Sequence, residues 1–469
     1  MKNKTKIIAT IGPASSDLKI ILQMIKSGLN VARINFSHGD HKTHKKSIAL
    51  IRRAEGLSKR PVAILADMGG PKIRTGKFRN GASIPLNDGD RITFSPEKGA
   101  SANEIPITFK DLARDVKKGD LLLLDDGKIS VKVKGVRGAK IDATVVCGGG
   151  LKEHKGINLP GIALSTSAIT KKDVDDMRFA LKMKVDYIGL SFVQSKADIL
   201  RARKIIKRSG RIVPVIAKIE RAAALQELKS IIGEADAVMI ARGDLGVETP
   251  LESVPIVQKR IIMTAHKLRK PAIVATQMLE SMIELDRPTR AEASDVANSV
   301  LDGADAIMLS AETAMGHNPP LVIETMAKIA DAAEESKYFP HADYEPDDND
   351  DTVSMSTSRA ACFAAEEVKA SAICVFTMTG RSALFISKQR PSVKTIAITN
   401  NDATLRRMAL YFGIHPFKIP SWKTIDMMIK DGLRTLKASG LIARGQKIVT
   451  VCGTTTTPGA TNMIKILEV

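Results

Sequence analysis

The sequence has few cysteines, few aromatic residues and no long apolar run. Four cysteines among 469 residues lie far apart without a CxxC pair, which excludes a disulfide scaffold and a cysteine-based zinc site. No apolar run approaches the length of a transmembrane helix, and the basic N-terminus is followed by too few apolar residues for a signal peptide. These absences predict a cytosolic protein with reduced cysteines and no membrane partner.

Positive charge is abundant, whereas aromatic residues are scarce. The formal net charge is +20, and aromatic residues make up only 4% of the chain. An excess of lysine and arginine attracts anions, so nucleic acids and phosphorylated metabolites are both candidate partners. The basic residues are spread along the chain without the aromatic stripe on which bases stack, and no nucleic-acid-binding module is recognisable. The pattern favours small phosphorylated partners and no nucleic acid.

Eight short apolar runs in the first two-thirds of the chain each end in polar or charged residues. They cover residues 6–13, 31–37, 62–68, 187–193, 214–220, 237–244, 271–278 and 306–312. Most are followed by a helix-like pattern, and buried strands alternating with amphipathic helices predict a parallel sheet. Eight such units predict an α/β protein with a closed (β/α)8 TIM barrel, whose chemistry lies at the C-terminal ends of the strands.

The gap between the third and fourth runs is far longer than one helix needs. It holds β-like stretches at 121–124, 129–133 and 141–146, with turn signals at Asp88-Gly89, at Asp126-Gly127 and in the glycine run 148–150. The gap therefore predicts an inserted, β-rich lid domain that overhangs the catalytic face.

The chain beyond the barrel divides at an acidic segment. Residues 339–351 are rich in aspartate and contain no lysine or arginine, which predicts a solvated linker. Five further apolar runs then alternate with helix-like stretches and predict a C-terminal open α/β domain, whose positive charge makes it the candidate regulatory domain for an anionic effector. The predicted boundaries are 1–69 and 167–338 for the barrel, 70–166 for the lid, 339–351 for the linker and 352–469 for the C-terminal domain.

Three charged residues at the ends of neighbouring runs give the strongest local signal. Lys218 and Glu220 end the fifth run, and Asp244 ends the sixth. Side chains alternate along a strand, so Lys218 and Glu220 share one face, where Glu220 and Asp244 can converge on a divalent cation. Mg2+ needs only one or two carboxylates beside waters and substrate oxygens. The alternative interpretation is a structural ion pair between Lys218 and Glu220.

Ordered motifs along essentially the whole chain resemble those of pyruvate kinases. They are TIGP at 10–13, VARINFSHG at 31–39, GPKIR at 70–74, KGINLPG at 155–161, AKIE at 217–220, MIARGDLGVE at 239–248, ATQMLESM at 275–282, RPTRAE at 287–292 and SAET at 310–313. The resemblance implies transfer of the phosphoryl group of phosphoenolpyruvate to ADP, giving ATP and an enolate that is protonated to pyruvate. It also implies a homotetramer, as is typical of the family.

The resemblance assigns catalytic roles to residues near the strand ends. Lys218 would be the central cation for the charge that the transition state spreads over the phosphoryl oxygens. Arg33 and Arg74 would brace phosphates, because the arginine fork suits bidentate contacts. Thr276 matches the family threonine near the face where the enolate is protonated.

Substrate, nucleotide and metal contacts follow from the same resemblance. The implied substrate-binding residues are Arg33, Lys218, Gly243, Asp244 and Thr276, and the implied nucleotide contacts are Asn35, His38, Arg74 and Lys155. Glu220 and Asp244 would hold one Mg2+, and a second Mg2+ should arrive with the nucleotide. Mn2+ is the expected alternative ion.

One departure from the family pattern changes the expected cofactors. Many relatives bind K+ through a threonine and a nearby glutamate, whereas this chain has Met68 and Lys72 at these positions, as in the potassium-independent branch. A tethered ammonium can take the place of the missing cation at an effective concentration on the order of mM or more. Asn35, Ser37 and Asp67 remain to bind that ammonium, so K+ is not expected to be required. The alternative is that Lys72 faces solvent.

Two smaller departures lie near the catalytic motifs. The segment RAAA at 221–224 stands where relatives usually have an Asn- or Lys-led segment, which affects the start of the next helix. Met315 replaces a lysine that is common after the last barrel strand, and it is expected to weaken one nucleotide contact.

A loop of the C-terminal domain is the candidate effector site. Residues 352–469 carry sixteen basic and six acidic side chains, which is half of the positive excess of the chain. Thr377, Thr379, Gly380, Arg381 and Ser382 follow a predicted strand and open a predicted helix, where backbone N–H groups can bind a phosphate. Relatives use the matching loop for a sugar-phosphate activator, and the segment 453–462 resembles the loop that faces it. The alternative is an ordinary turn with a Ser/Thr cap.

Two other functions are open from the residues alone. A Mg2+-dependent TIM-barrel lyase or aldolase acting on oxo-acids would also use a Glu/Asp metal pair and a basic residue, but it would not need nucleotide contacts or a lid. A basic RNA-binding protein would bind RNA in a salt-dependent way and would not depend on Lys218.

Overall fold

The chain folds around a closed barrel of eight parallel strands, with further sheets inserted into it and following it. The computed structural model describes residues 3–78, 81–96, 104–162, 165, 167–339, 352–420, 424–455 and 459–469. The predicted fold class is confirmed, because the barrel, the inserted sheets and a separate C-terminal sheet are all present. Almost all of the predicted acidic linker lies outside the described residues, so the linker stays a prediction.

Within the described ranges, no helix is long and apolar enough to cross a membrane.

The barrel strands are short and almost entirely buried. They are β1 (Lys6–Thr10), β2 (Leu29–Asn35), β3 (Ala63–Asp67), β4 (Tyr187–Leu190), β5 (Val215–Ile219), β6 (Ala237–Ala241), β7 (Ala272–Ala275) and β8 (Ala306–Leu309). Each strand pairs in parallel with its neighbours, and β8 pairs with β1 to close the barrel. Most strands end before the predicted apolar runs do. As a result, Glu220 and Thr276 lie just beyond their strands, and Asp244 lies in the first turn of the helix that follows β6.

Helices cover the outside of the barrel. They are Leu18–Ser27, His41–Ser58, Lys171–Lys182, Lys196–Arg208, Leu228–Glu234, Arg242–Glu248, Val254–Lys267, Arg290–Leu301, Ala311–Ala314 and Pro319–Glu334, with 3-10 turns at Pro13–Ser15, Ala222–Leu225, Leu251–Ser253 and Glu280–Ile283. Capping boxes fix two of the starts, since Thr170 and Thr289 accept from backbone N–H groups three residues later.

The barrel interior is a packed apolar core that includes residues from the C-terminal part of the chain. The inward-facing side chains are Ile8, Val31, Ala63, Leu65, Tyr187, Ile216, Ala237, Met239, Ile273, Ala275, Ala306 and Met308. Ala409 and Leu410 belong to the same cluster. Tyr187, the first residue of β4, donates its hydroxyl hydrogen to the carbonyl of Arg407 at 2.7 Å. The base of the barrel is therefore closed by the 3-10 turn Met408–Leu410.

The inserted lid contains a two-stranded and a six-stranded sheet. The first pairs Ile84–Leu86 with Gly149–Leu151, and the second has the order Ile157–Asn158, Leu121–Leu124, Ile129–Arg137, Lys140–Cys147, Arg91–Ser95 and Glu104–Pro106; a short helix spans Leu112–Asp115. All three predicted β-like stretches lie in strands. The glycine run 148–150 was predicted to mark a turn, but it enters a strand. A Cβ atom at Gly148 would lie 2.2 Å from the carbonyl oxygen of Leu86, so this close approach of two backbones needs glycine.

The C-terminal domain is an open five-stranded sheet with helices. Its strands are β9 (Ala372–Phe376), β10 (Thr395–Thr399), β11 (Ile414–Lys418), β12 (Lys447–Gly453) and β13 (Thr461–Glu468), in the order β11-β10-β9-β12-β13. Its helices are Thr352–Glu367, Arg381–Lys388, Asp402–Arg407 and Ile425–Ala438. The strands are parallel except β13, which runs antiparallel to β12.

A buried ionic cluster joins this domain to the base of the barrel. Lys388 Nζ lies 2.7 Å from Asp305 Oδ2, and the two side chains are 2% and 1% exposed. The same Asp305 oxygen accepts from the N–H of Ala272 at 2.7 Å. The guanidinium of Arg390 lies 4.3 Å from the centre of the Phe412 ring. The cluster fixes the C-terminal domain to the start of β7 and β8.

Candidate active site

A buried lysine stands at the centre of the barrel mouth. Lys218 Nζ lies 2.8 Å from Glu220 Oε1 and 3.1 Å from Asp67 Oδ1, and it donates to Ser191 Oγ at 2.7 Å. Burial disfavours the charged form, but the carboxylates of Asp67 and Glu220 outweigh it and raise the pKa of Lys218 above its usual value. Lys218 is therefore a permanently charged ammonium held in one position.

A second cation, Arg33, lies beside Lys218 at the end of β2. Its Nε donates to Asp67 Oδ2 at 2.7 Å and its Nη1 to Thr10 Oγ1 at 2.9 Å. Burial raises the pKa of Asp67, but Lys218 and Arg33 outweigh it, and the net pKa is lower than usual. Asp67 thus holds two cations side by side and makes the mouth suitable for an anionic substrate.

Two further carboxylates lie at the mouth, and they differ in their bonding partners. Glu220 is bound by Lys218 and by the N–H of Phe192, which donates to Oε2 at 2.7 Å. Asp244 makes no ion pair or hydrogen bond to any residue that the structure describes. Burial, followed by the charge of Glu220, raises the pKa of Asp244 to about 6. The ion pair between Lys218 and Glu220 is present, and Asp244 still lacks a counter-charge.

The two carboxylates fit a divalent cation only together with other oxygens. A free carboxylate repelled by a second one is the arrangement that a divalent ion relieves. In the described ranges, no group of three or more His, Cys, Asp or Glu side chains could hold a metal ion. Glu220 and Asp244 would thus need substrate and water oxygens to complete the coordination, which suits Mg2+.

A strained turn fixes Thr276 at the end of β7. Thr276 and Gln277 have φ of 72° and 53°, in the left-handed region that side chains disfavour. Thr276 Oγ1 accepts from the N–H of Gly243 at 2.8 Å, and Arg242 Nη2 donates to the Thr276 carbonyl at 2.8 Å. Arg242 is itself held by Asp295 Oδ1 at 2.6 Å. These bonds place the threonine hydroxyl beside the first turn of the helix Arg242–Glu248.

The predicted nucleotide residues come from both the barrel and the lid. On the barrel, Asn35 Oδ1 accepts from the N–H of Ser37 at 3.1 Å. On the lid, Arg74 Nη1 donates to the carbonyl of His154 at 3.1 Å, and Lys155 Nζ lies 2.8 Å from Asp125 Oδ1. The cleft lining includes Arg74 and Lys155.

The histidine of this set, His38, responds to the surrounding positive charge. Burial lowers its pKa first, and the charges of Lys72, Arg74 and Arg33 lower it further. All three cations therefore disfavour the protonated form of His38.

Lys72 is exposed to solvent at the mouth, as in the alternative interpretation, and has no direct counter-charge among the described residues. No carboxylate of the described residues lies within 4.0 Å of its ammonium. Burial lowers its pKa, and the charges of Asp244 and Glu220 oppose this effect. The carboxylate of Asp67, a member of the predicted monovalent-cation site, is instead taken up by Lys218 and Arg33. The carboxylates that act on the charge of Lys72 are thus Asp244 and Glu220, the candidate metal ligands.

Two residues of the site were missed in the sequence. Ser191 binds Lys218 and donates to the carbonyl of Met68 at 2.7 Å, so it ties β5 to the start of the lid. Its position at the end of the fourth apolar run was the available signal. Glu248 accepts from the N–H of Leu159 at 3.2 Å and so contacts the returning end of the lid. It ends the motif at 239–248, but the motif alone assigned it no role.

The candidate effector loop forms a tight turn before the helix Arg381–Lys388. Gly380 has φ of 88°, and its N–H donates to Thr377 Oγ1 at 3.0 Å. The N–H of Arg381 lies 3.4 Å from Thr379 Oγ1. Ser382 is buried, and its hydroxyl binds that of Thr461 on β13. The loop lines a pocket together with Thr461 and residues 453, 455, 459 and 460; residues 456–458 lie outside the described ranges.

Sequence profiles identify the family to which this architecture belongs. The profile described as "Pyruvate kinase, barrel domain" matches residues 2–323, and that described as "Pyruvate kinase, alpha/beta domain" matches residues 355–467. The chain belongs to the pyruvate kinase family. It is accordingly a phosphotransferase, and pyruvate kinase activity implies phosphoenolpyruvate and ADP as substrates and pyruvate and ATP as products.

Individual pyruvate kinases match over nearly their whole length. The chain is 44% identical to the pyruvate kinase of Corynebacterium glutamicum, over 99% of this chain and 98% of the relative. It is 42% identical to that of Clostridium perfringens, over 99% of this chain and all of the relative. A crystal structure of a pyruvate kinase from Cryptosporidium parvum superposes with a TM-score of 0.91 at 35% identity, covering 100% of this chain and 96% of that one.

Membership of the pyruvate kinase family decides between the functions left open by the residues. A phosphotransferase with this barrel replaces both the lyase or aldolase and the non-catalytic RNA-binding protein. Pyruvate kinases generally use divalent metal ions, and the pair of carboxylates at the mouth is chemically suited to one.

Proposed function

We propose that Lys218 is the cation at which the phosphoryl group leaves phosphoenolpyruvate for ADP. The observation that carries this proposal is its place between Asp67 and Glu220, with only 10% of the side chain exposed. The transition state of phosphoryl transfer spreads negative charge over three oxygens, and an ammonium already fixed in place stabilises that charge without reorganising. Its raised pKa makes Lys218 a source of charge and not a proton donor.

Glu220 and Asp244 are the proposed ligands of Mg2+, with Mn2+ as the alternative ion. The support is the unpaired carboxylate of Asp244 beside the charge of Glu220. When bound, such an ion neutralises negative charge on the substrate carboxylate and phosphoryl oxygens. A second Mg2+ is proposed to enter with the nucleotide.

Arg33, Thr276 and Gly243 are proposed to position the substrate. The bonds of Arg33 to Asp67 and Thr10 fix its guanidinium, whose planar fork matches phosphate oxygens. Thr276 is proposed to orient the water that protonates the enolate, since its hydroxyl accepts from Gly243 and donates to the carbonyl of Ala275.

Nucleotide binding is proposed to use Asn35 and His38 on the barrel and Arg74 and Lys155 on the lid. The support is the position of Arg74 and Lys155 in the lining of one cleft, and the charges of Lys72, Arg74 and Arg33 that lower the pKa of His38. Closure of the lid would exclude water, which would otherwise compete with ADP for the phosphoryl group.

The metal proposal can be tested by ATP formation from phosphoenolpyruvate and ADP. Chelation of divalent ions should abolish turnover, and Mg2+ should restore it. We expect Asp244→Asn to raise the Mg2+ concentration for half-maximal rate about ten-fold or more, because loss of a group that holds a metal weakens its binding on that scale. The matched control is Asp175→Asn, an exposed carboxylate paired only with Arg178. An unchanged Mg2+ requirement in Asp244→Asn would remove this residue from the metal site.

Lys72 is proposed to replace K+, together with Asn35, Ser37 and Asp67. The support is an ammonium at the mouth without an ion pair to any described carboxylate, near the start of the predicted lid. In the described state Lys72 does not reach Asp67, so the proposal requires that closure carries the ammonium toward it. Turnover should then be equal in potassium-free buffer and after addition of K+.

A paired variant makes the potassium proposal sharper. Met68→Thr with Lys72→Glu restores the residue types through which many relatives bind K+, and this double variant should need K+ for turnover. Strong stimulation of the unmodified enzyme by K+ would show that Lys72 has another role.

The loop at 377–382 is proposed to bind the phosphate of a sugar-phosphate activator. The support is the sequence resemblance and the turn that presents Thr377, Thr379 and Arg381 around one pocket. Arg381→Ala with Ser382→Ala should abolish activation and leave basal turnover, and unchanged activation would reject the site. A homotetramer and a cytosolic location are proposed on the same family resemblance.

A further inference from the structure

Arg221 is a buried cation in which two guanidinium nitrogens have no partner. It follows Glu220 directly and is only 4% exposed. Its Nε and Nη1 are inaccessible to solvent and make no hydrogen bond within the described part of the chain. An unpaired charge inside a protein is strongly unfavourable. The arrangement therefore points to a partner that Arg221 meets in another state of the enzyme.

Arg221 contacts the connections between the barrel and the lid. Its guanidinium lies 5.7 Å from the ring centre of Phe192. That ring packs against Gly70, where the chain enters the lid, so closely that a Cβ on Gly70 would lie 2.8 Å from it. On the other side, Glu248 is the carboxylate with the largest electrostatic effect on Arg221, and it binds Leu159, where the chain leaves the lid.

The lid presents a matching acceptor without a donor. Asp115 ends the short lid helix Leu112–Asp115, and its charge acts on Arg221. Its Oδ1 accepts from the N–H of Ser165 at 3.2 Å, whereas its Oδ2 is buried and makes no hydrogen bond to a described residue. A donor on the barrel and an acceptor on the lid are thus both buried and both unsatisfied.

We propose that Arg221 is a positioning residue that latches the lid: as the lid closes, its guanidinium donates to the carboxylate of Asp115. This inference rests on the proposed closure of the lid over the substrates. The pairing satisfies both orphaned groups at once, so it favours the closed state. Because Arg221 follows Glu220 directly in the chain, its bond to Asp115 would also fix the position of Glu220, the proposed metal ligand, when the lid is closed.

A double-mutant cycle tests the latch. We expect Arg221→Met and Asp115→Asn each to lower kcat/KM for ADP about ten-fold, chiefly through KM, with the double variant no worse than either single variant. Arg221→Lys keeps the charge without the planar fork and should recover part of the loss. The control is Arg221→Met combined with Asp111→Asn, since Asp111 is an exposed lid carboxylate paired with Arg114 at 3.1 Å. In that control pair, the fold-loss in kcat/KM for ADP of the double variant should equal the product of the two single losses.

A stability measurement separates a latch from a merely structural role. The thermal midpoint of ligand-free Arg221→Met should equal or exceed that of the unmodified enzyme, because the substitution removes an unpaired buried charge. A lower midpoint, or losses that multiply in the Arg221 and Asp115 pair, would overturn the latch while the kinase function stands. If the unmodified enzyme formed no ATP, the proposed function would fail, and the latch with it.

Discussion

The barrel buries charged side chains at both ends, but the two ends differ in how those charges are paired. At the base, Lys388 and Asp305 are each at most 2% exposed and lie 2.7 Å apart. At the mouth, Lys218 is as well paired as Lys388, yet Asp244 has no hydrogen bond or ion pair to a described residue. Asp305 at the base has a close counter-charge within the protein, whereas Asp244 at the mouth can gain one only from what binds there.

This difference separates a structural cluster from a reactive one. Burial of charge is common to both ends, and so are shifted pKa values, so neither property marks the catalytic end. The distinguishing property is a carboxylate without an ion pair to any described residue, because such a group is stabilised when a bound cation supplies one.

The largest expected effect comes from removing the central cation of the mouth. Lys218→Met should lower kcat on the order of 10³-fold or more, as for other cations at phosphoryl transition states. The measurement is ATP formation by enzyme with an unchanged circular dichroism spectrum. A mild loss would remove Lys218 from its role. Lys388→Met is the matched control at the base, and its folded fraction should keep nearly normal turnover.

The next largest effect is on stability at the base. Lys388→Met should lower the free energy of unfolding by about 3–5 kcal/mol, because it removes the close counter-charge of the buried carboxylate of Asp305 and leaves Arg390 at 4.0 Å. Urea denaturation measures this loss. Lys328→Met, in an exposed pair with Glu324, is the control with little expected change. Equal stability of the two variants would mean that the base cluster does not hold the domains together.

A smaller effect per pH unit is expected from acid at the base. Burial lowers the pKa of His266 from 6.5 to about 3, with further lowering by Lys388 and Arg390 and opposition by Asp305. In the unfolded chain, His266 takes up a proton below pH 6.5. In the folded protein it takes up a proton only near pH 3. The contribution of His266 to the free energy of unfolding is therefore fully present above pH 6.5. It is lost as the pH falls from 6.5 toward 3, at about 1.4 kcal/mol per pH unit.

Urea denaturation across this acid range checks the histidine prediction. His266→Gln should reduce the slope of the unfolding free energy against pH by about one proton. The same slope in variant and unmodified enzyme would assign the acid sensitivity to other groups.

The smallest effect is expected at the edge of the same interface. Arg406 Nε lies 2.8 Å from Glu55 Oε1, but the arginine side chain is 28% exposed. Arg406→Ala should cost less than about 1 kcal/mol of unfolding free energy, since a solvated ion pair contributes little. A loss as large as that of Lys388→Met would show that exposure does not rank the two contacts.

The barrel strands could be predicted from the sequence more completely than the side-chain contacts of the active site. Apolar runs revealed the barrel strands because both faces of a parallel barrel strand are buried. Lys218 and Glu220 were predicted to be neighbours because strand ends meet at one rim. Their exact partners were less accessible, since Ser191 and Asp67 come from other strands whose register no local pattern specifies.

The base cluster was invisible in the sequence for a related reason. Asp305 and Lys388 lie 83 residues apart in different domains, and periodicity carries no information on which surfaces of two domains meet. Arg221 was visible only as a departure from the family pattern. Its significance depends on two unsatisfied atoms, which only coordinates reveal.

The residues that close the base of the barrel, Ala409 and Leu410, have a consequence for how the protein is made. All eight barrel strands leave the ribosome before these two residues are synthesised. Domains generally fold in order as the chain emerges. Here the base of the nascent barrel stays uncovered until Ala409 and Leu410 of the C-terminal domain are made. The first domain to be translated is therefore the last to complete its core.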